Sequence, residues 1–497
     1  LEENGPSPVA LAIVGLVLMF KKDNSRDTFG AVSVLLRRLE SFVEKLLAGK
    51  NASVPENVIR TKLVGDTFNY FLSKVVPGLM GFLSVATFVR MVGYEQYGRY
   101  AVAFATVSAF SAGVAGWLSQ SILRFQSQHH GTAEAESFNR AADAGLLFSA
   151  SLGGCVLGLA LWLTRTHSSA IVAVSVGLYV AMLVYMFEMT RLQAALDSGG
   201  VVRMETIRAV GAFAIPLVLI FASSQRHYSL LLLGILGGYL IPLIVRAFHG
   251  SGRRAIAILR HPVLDRQERG FLRNLWSYGW PVALWLFSQQ CLVVSDRYFI
   301  QRFWGYSAAG VYASMYDVIV RSFSLLFAPI TLAVHSVLMH HWNTGSRDLT
   351  RRILSQAIKL ESLFFLPVLV ALFFGANWTS RMVLGHAVPE AASIVVPLAI
   401  GGFLWQLALL AHKPLEILCQ TKRMLVGGLV ALAINVGGNY LLVPRFGFRA
   451  AAYLSVASSL AYLLMLFALT PRESLQKAML GGEMREASIE QVEEVSV

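Results

Sequence analysis

The chain has 497 residues, 55% of them hydrophobic and only 14% charged, with a mean hydropathy of +0.58. A soluble domain carries about 25% charge, so a soluble fold is excluded for most of the length. The net charge of +13 raises nucleic acid as a partner, but the basic residues fall between apolar blocks rather than along one patch, which excludes that reading.

Residues 1–65 read as an N-terminal extension. Val9–Phe20 is apolar but only 12 residues long, short of the roughly 20 that cross a bilayer. Glu2 and Glu3 precede it and Lys21 and Lys22 follow it, the reverse of a signal peptide. A short extra span there stays open. In Phe29–Lys50, Val34, Leu35, Leu39, Phe42 and Leu46 recur at helical spacing, which suits an interfacial amphipathic helix or packing on the core.

From about residue 66, apolar blocks occur near 69–90, 100–122, 142–163, 168–188, 204–222, 228–247, 276–297, 308–334, 360–376, 391–411, 424–443 and 450–469. Their length without polar alternation predicts helices, because backbone groups in hydrocarbon must pair within the segment. The expected fold is therefore an all-α integral membrane protein of about 12 transmembrane helices in two six-helix bundles, 66–250 and 276–470. A basic linker, 251–275, separates them, and an acidic tail, 471–497, ends the chain. Connections after even-numbered blocks, counted with their margins, carry 18 Lys and Arg residues and those after odd-numbered blocks 8. The positive-inside bias thus places both ends of the twelve-helix core in the cytoplasm. Two bundles around a central path are a transporter layout; an undivided scaffold is the plain alternative.

Nothing in the sequence points to catalysis. There is no phosphate-binding glycine loop and no nucleophile elbow. The pairs His129-His130 and His340-His341 sit in connections without acidic neighbours at ligand spacing. Cys155, Cys291 and Cys419 are too far apart for a metal knuckle or redox pair. No metal and no cofactor are expected. A proton gradient, a Na⁺ gradient or consumption of the substrate on the far side would each drive cycling, and no motif selects among them.

Three segments carry a family resemblance. The first helix pair, FLSKVVPGLMGFLSVATFVRMVGYEQYGRYAVAF onward, has Gly93, Tyr97, Gly98, Tyr100, Gly113 and Arg124. The seventh and eighth helices have the Gly-Trp-Pro start at Gly279, the Asp296-Arg297 pair and Gly310-Val-Tyr312. The last pair reads NVGGNYLLVPRFGFRAAAY from Asn435. In order and at these positions, they resemble bacterial polysaccharide-transport flippases of the O-antigen type. That superfamily also holds multidrug and toxic-compound extruders and the lipid II flippase. The extension departs from the pattern, and Ala450 replaces a family glycine.

The resemblance implies that a lipid-linked, polyprenyl-diphosphate-type oligosaccharide crosses a bacterial cytoplasmic membrane by alternating access. Membrane lipids would be partners, along with glycosyltransferases or a polymerase of the same pathway. A drug exporter of the same superfamily and a non-transporting scaffold of such enzymes are the alternatives. The oligomeric state is open.

An anionic headgroup needs a wet, cationic passage. Arginine inside a span costs several kcal/mol, roughly 2.5–3.5 on insertion scales, and so needs a reason. Arg321 stands well inside the eighth block with Asp317 four residues earlier on the same face. They form either a closed ion pair or a cavity cation with its releasable partner. Arg90 and Arg124, near helix ends, suit interfacial anchors or cavity cations. Asp296 and Arg297 suit a helix terminus or sugar contacts. Gln289, Gln290, Gln406 and Asn435 would hydrogen-bond a glycan or neighbouring helices. Gln289 and Gln290 point in different directions, so both cannot face one narrow path.

Overall fold

The computed structural model describes residues 56–129, 131–163, 168–223, 226–248, 264–343, 347–418 and 420–469. Two compact units are found, 1–71 and 72–497. In the first, the described residues begin helix α1; the rest of α1 and all later helices belong to the second. The expectations for 1–55, for most of the basic linker and for the acidic tail lie outside the described residues.

Every described regular element is helical. Six helices come first: α1 (Glu56–Val92), α2 (Tyr94–His129), α3 (Ala135–Leu163), α4 (Ser169–Ala194), α5 (Ser198–Ala222) and α6 (Tyr228–Arg246). Next come α7 (Arg266–Asn343), α8 (Arg347–Phe374), α9 (Ala376–Leu384), α10 (Pro389–Ser393), α11 (Val395–Ala411), α12 (Lys413–Ile417), α13 (Thr421–Phe446) and α14 (Phe448–Leu469). Among the described residues, ten helices are long and apolar enough to cross a membrane. The seventh and eighth expected blocks both lie in α7 and are not among the ten. Trp, Tyr and Gln residues dilute the apolarity of the seventh block, whereas the eighth is largely apolar apart from Asp317 and Arg321.

The long helix α7 is two arms meeting at Gly305, where φ is 82° and ψ is 176°. That backbone region favours glycine, since a Cβ would clash there. Part of the stretch expected as linker is in fact the first turns of α7. Asp265 and Glu268 form a reciprocal capping box, with Glu268 N donating to Asp265 Oδ1 at 2.7 Å and Asp265 N donating to Glu268 Oε2 at 2.9 Å. Arg140 of α3 pairs with Glu268 at 2.9 Å.

Helix α4 packs on α2, α3 and α6, and α6 on α5; α14 packs on α11 and α13, and α8 on α7 and α11. Helix α2 lies along both arms of α7. The two turns Gly93 and Gly305, both at φ +82°, stand at one end of this pair. There the largest core cluster brings together Phe88 and Val89 of α1, Tyr97 of α2, Tyr312 and Ile319 of α7, and Val395 and Leu398 of α11. This end, called the glycine end below, is closed.

Candidate functional site

A cavity of about 400 Å³ opens between α1, α2, α5, α6 and the second arm of α7. Its wall on α1 runs from Lys74 past Pro77, Gly81 and Ser84 to Phe88. Four charged side chains line it: Lys74 of α1, Arg208 of α5, and Asp317 and Arg321 of α7. Tyr97, Tyr100, Phe104 and Tyr239 give it an aromatic side.

The charges are not equivalent. Arg208 is bound by Glu205 at 2.7 Å and lies over the rings of Tyr185 and Tyr239, 5.6 and 5.3 Å from their centroids. Asp317 is taken by Arg297 at 2.5 Å, in a pair whose side chains are 14% and 5% exposed. Arg321 and Lys74 are exposed. Neither has an ion pair or hydrogen bond among the described residues. Gly81 faces Arg321, and a Cβ there would require the guanidinium to swing aside. The cavity therefore holds two uncompensated cations and no uncompensated acid among its described lining.

The ion pair expected between Asp317 and Arg321 is thus not the one formed. Four residues of spacing put both on one helix face, but Arg297 on the other arm is buried, and its Nε has no hydrogen-bond partner among the described residues. A buried guanidinium needs the carboxylate more than a wetted one does. Asp317 therefore neutralises Arg297 and leaves Arg321 to the cavity.

The other sequence candidates lie away from this space. Arg90 sits at the glycine end, where its Nε donates to the carbonyl of Val383 at 3.3 Å and its Nη2 to that of Met382. These are carbonyls of the last turn of α9, a place that favours positive charge. Tyr94 beside it reaches His386 at 3.1 Å. At the opposite end, Arg124 lies 4.8 Å over the Tyr278 ring. Asp296 is buried, hydrogen-bonded by the Tyr312 hydroxyl and by Asn439 Nδ2 at 2.8 Å. Asn435 accepts from Ser295 at 2.6 Å. Gln406 donates to Ser324, a cavity-lining residue, at 3.3 Å. Gln289 and Gln290 line no part of the cavity; the amide N and O of Gln289 are buried with no hydrogen-bond partner among the described residues.

Sequence reasoning does not single out Lys74, Arg208 or the cavity tyrosines Tyr97, Tyr100 and Tyr239 as site residues. Arg208 carries the same signal as Arg321, an arginine inside an apolar block. Lys74 carries it too, standing inside the first block as Arg208 stands inside the fifth. Among the described residues, no His, Cys, Asp and Glu group could hold a metal ion.

Several solved structures share the fold. "Lipid II flippase MurJ, inward closed conformation" matches with a TM-score of 0.62 at 14% identity, covering 84% of this chain and 90% of that one. An inward-facing multidrug resistance MATE family transporter of the MOP superfamily matches at 0.57 and 13%, covering 88% and 98%. A MOP superfamily transporter from Pyrococcus furiosus matches at 0.58 and 12%, covering 87% and 100%. No curated protein sequence matches. The family described as polysaccharide biosynthesis protein matches residues 63–335, more than half of the chain, and the chain belongs to that family.

Proposed function

We propose that this protein translocates a lipid-linked oligosaccharide or polysaccharide precursor across a bacterial cytoplasmic membrane by alternating access. The observation that carries the reading is the pair of uncompensated cations, Arg321 and Lys74, in a cavity walled by helices of both sequence halves. A diphosphate headgroup presents the complementary charge. Guanidinium holds phosphate by two parallel hydrogen bonds, while lysine adds a point charge. The tyrosines of the aromatic side offer rings and hydroxyls to the first sugar.

In this reading α1–α6 form one six-helix bundle. The two arms of α7 with α8, α11, α13 and α14 form the other. Charge bias puts the glycine end outside and both ends of the core inside the cell. The closed glycine end then corresponds to an inward-facing or occluded state. Glycosyltransferases or a polymerase of the same pathway would be the partners. A cation exporter is disfavoured, because Asp317, the sole acid among the described lining, is already neutralised by Arg297.

The test is reconstitution of the full chain with a polyprenyl-diphosphate-linked oligosaccharide. Wild type should move it between leaflets, and Arg321→Gln should insert normally and transport little. Undiminished flux in Arg321→Gln would refute the role of the cavity.

A further inference from the structure

Glu361 carries no motif in the sequence and takes no part in the cavity. It lies on the packed face of α8 with Ile353, Ala357 and Phe365, all buried, and is itself 0% exposed. One oxygen, Oε1, accepts from the Thr331 hydroxyl at 3.4 Å; the other, Oε2, is buried with no hydrogen-bond partner among the described residues. Toward the glycine end the space is closed by Phe323, Phe327, Phe365 and Phe403. The rings of Phe365 and Phe403 stack at 3.8 Å, and Phe323 lies 5.7 Å from Phe365.

No compensating cation faces it among the described residues. Helix α8 packs against α7, α9 and α11. The charged groups described on the second arm of α7 are Asp317 and Arg321, which belong to the cavity. Arg381 of α9 is exposed, and α11 has no ionisable residue at all. On α8 itself Arg352 and Lys359 are exposed and turned to the opposite stripe. An ionised carboxylate buried without a cation or a full set of donors is disfavoured by several kcal/mol. A carboxylic acid at the same place is not.

We propose that Glu361 is a proton-binding site of the transporter. It is loaded when α8 and the second arm of α7 are packed as here and emptied when they part. The carboxylate takes one proton from water to become the acid, and returns it on release. The partner residue makes the coupling specific. Thr331 stands ten residues beyond Arg321 on one continuous helical arm, about 15 Å along it. An arm displaced by substrate at Arg321 moves the hydroxyl that donates to Glu361. This coupling rests on the translocation reading; the proton site does not.

Infrared difference spectra of the full chain in nanodiscs, titrated with pH, test the site without substrate. Wild type should show a carboxylic-acid C=O band at neutral pH that Glu361→Gln lacks. Thr331→Val, close in shape, should keep the band and move its midpoint. Identical spectra for wild type and Glu361→Gln would overturn the proposal, as would a midpoint indifferent to Thr331→Val. In proteoliposomes, flux of a polyprenyl-diphosphate-linked oligosaccharide should change several-fold with an imposed pH gradient for wild type and not for Glu361→Gln. An equal response in both would overturn the coupling. Absence of wild-type flux would count against translocation instead, leaving the infrared result to decide the proton site.

Discussion

Gly98 of α2 and Gly310 of α7 meet backbone to backbone, and each receives the carbonyl of a tyrosine from the facing helix. A Cβ on Gly98 would strike the carbonyl of Tyr306, and one on Gly310 would strike that of Tyr94. The arrangement is reciprocal because the sequence is. Gly93-Tyr94, Gly98 and Tyr100 recur at identical spacing as Gly305-Tyr306, Gly310 and Tyr312. Arg99 lies 4.5 Å over the Tyr306 ring and tightens the same crossing. Close approach of this kind is what small residues permit between membrane helices.

Gly98→Ala or Gly310→Ala should therefore force the glycine end apart. Overpacking a tight contact costs about 1–3 kcal/mol, enough to shift a two-state equilibrium at least several-fold. Both variants should show faster labelling of a cysteine placed at Ala309, which is buried at this crossing, with membrane insertion unchanged. Unaltered labelling would mean that this crossing does not hold the end shut.

The Arg297–Asp317 pair should behave as a structural unit. Asp317→Asn leaves a buried guanidinium without its counter-charge, and breaking such a pair costs about 3–5 kcal/mol. The variant should melt at a lower temperature in detergent. Arg297→Gln combined with Asp317→Asn should recover most of the loss, because neither charge is then stranded. A double variant no more stable than Asp317→Asn alone would separate the two residues.

Much of the fold was legible because bilayer thickness writes itself directly into the sequence as blocks. Ten of the twelve blocks correspond to long apolar helices. The remaining two share α7, where a glycine turn joins the two arms. The site was less legible because pairing is a tertiary property. Asp317 and Arg321 share a face, and that fact is visible at spacing four; that Arg297 competes for Asp317 depends on how the arms of α7 fold back. Arg90 shows the same limit, since its partners are carbonyls of α9 nearly three hundred residues later. The repeat of Gly93–Tyr100 in Gly305–Tyr312 is present in the letters but emerges only when the two helix pairs are laid over one another.

Arg90 should influence conformation rather than substrate affinity. It stays outside the cavity and binds the carbonyls at the end of α9. Charge at a helix C-terminus contributes about 0.3–1 kcal/mol. Arg90→Gln should leave affinity for a polyprenyl-diphosphate glycan within about twofold, equivalent to ~0.4 kcal/mol. A cysteine at the buried Ala309 should label faster. A loss of affinity tenfold or greater would place Arg90 in the binding machinery after all.

Charge balance in the cavity gives a prediction with opposite signs for neighbouring substitutions. Arg321→Gln removes an uncompensated cation, and charge-assisted hydrogen bonds are worth about 1.5–3 kcal/mol. Affinity for the diphosphate-linked glycan should fall roughly ten- to a hundredfold. Glu205→Gln does the reverse, because it frees Arg208 from the carboxylate that holds it at 2.7 Å. The Tyr185 and Tyr239 rings still seat the guanidinium, so affinity for the anion should rise. Fluorescence titration with the same ligand reads both. A cavity built for cationic cargo would respond the other way, with Arg321→Gln binding an organic cation more tightly and Glu205→Gln more weakly, and that pattern would replace the lipid-linked glycan with a drug-like substrate.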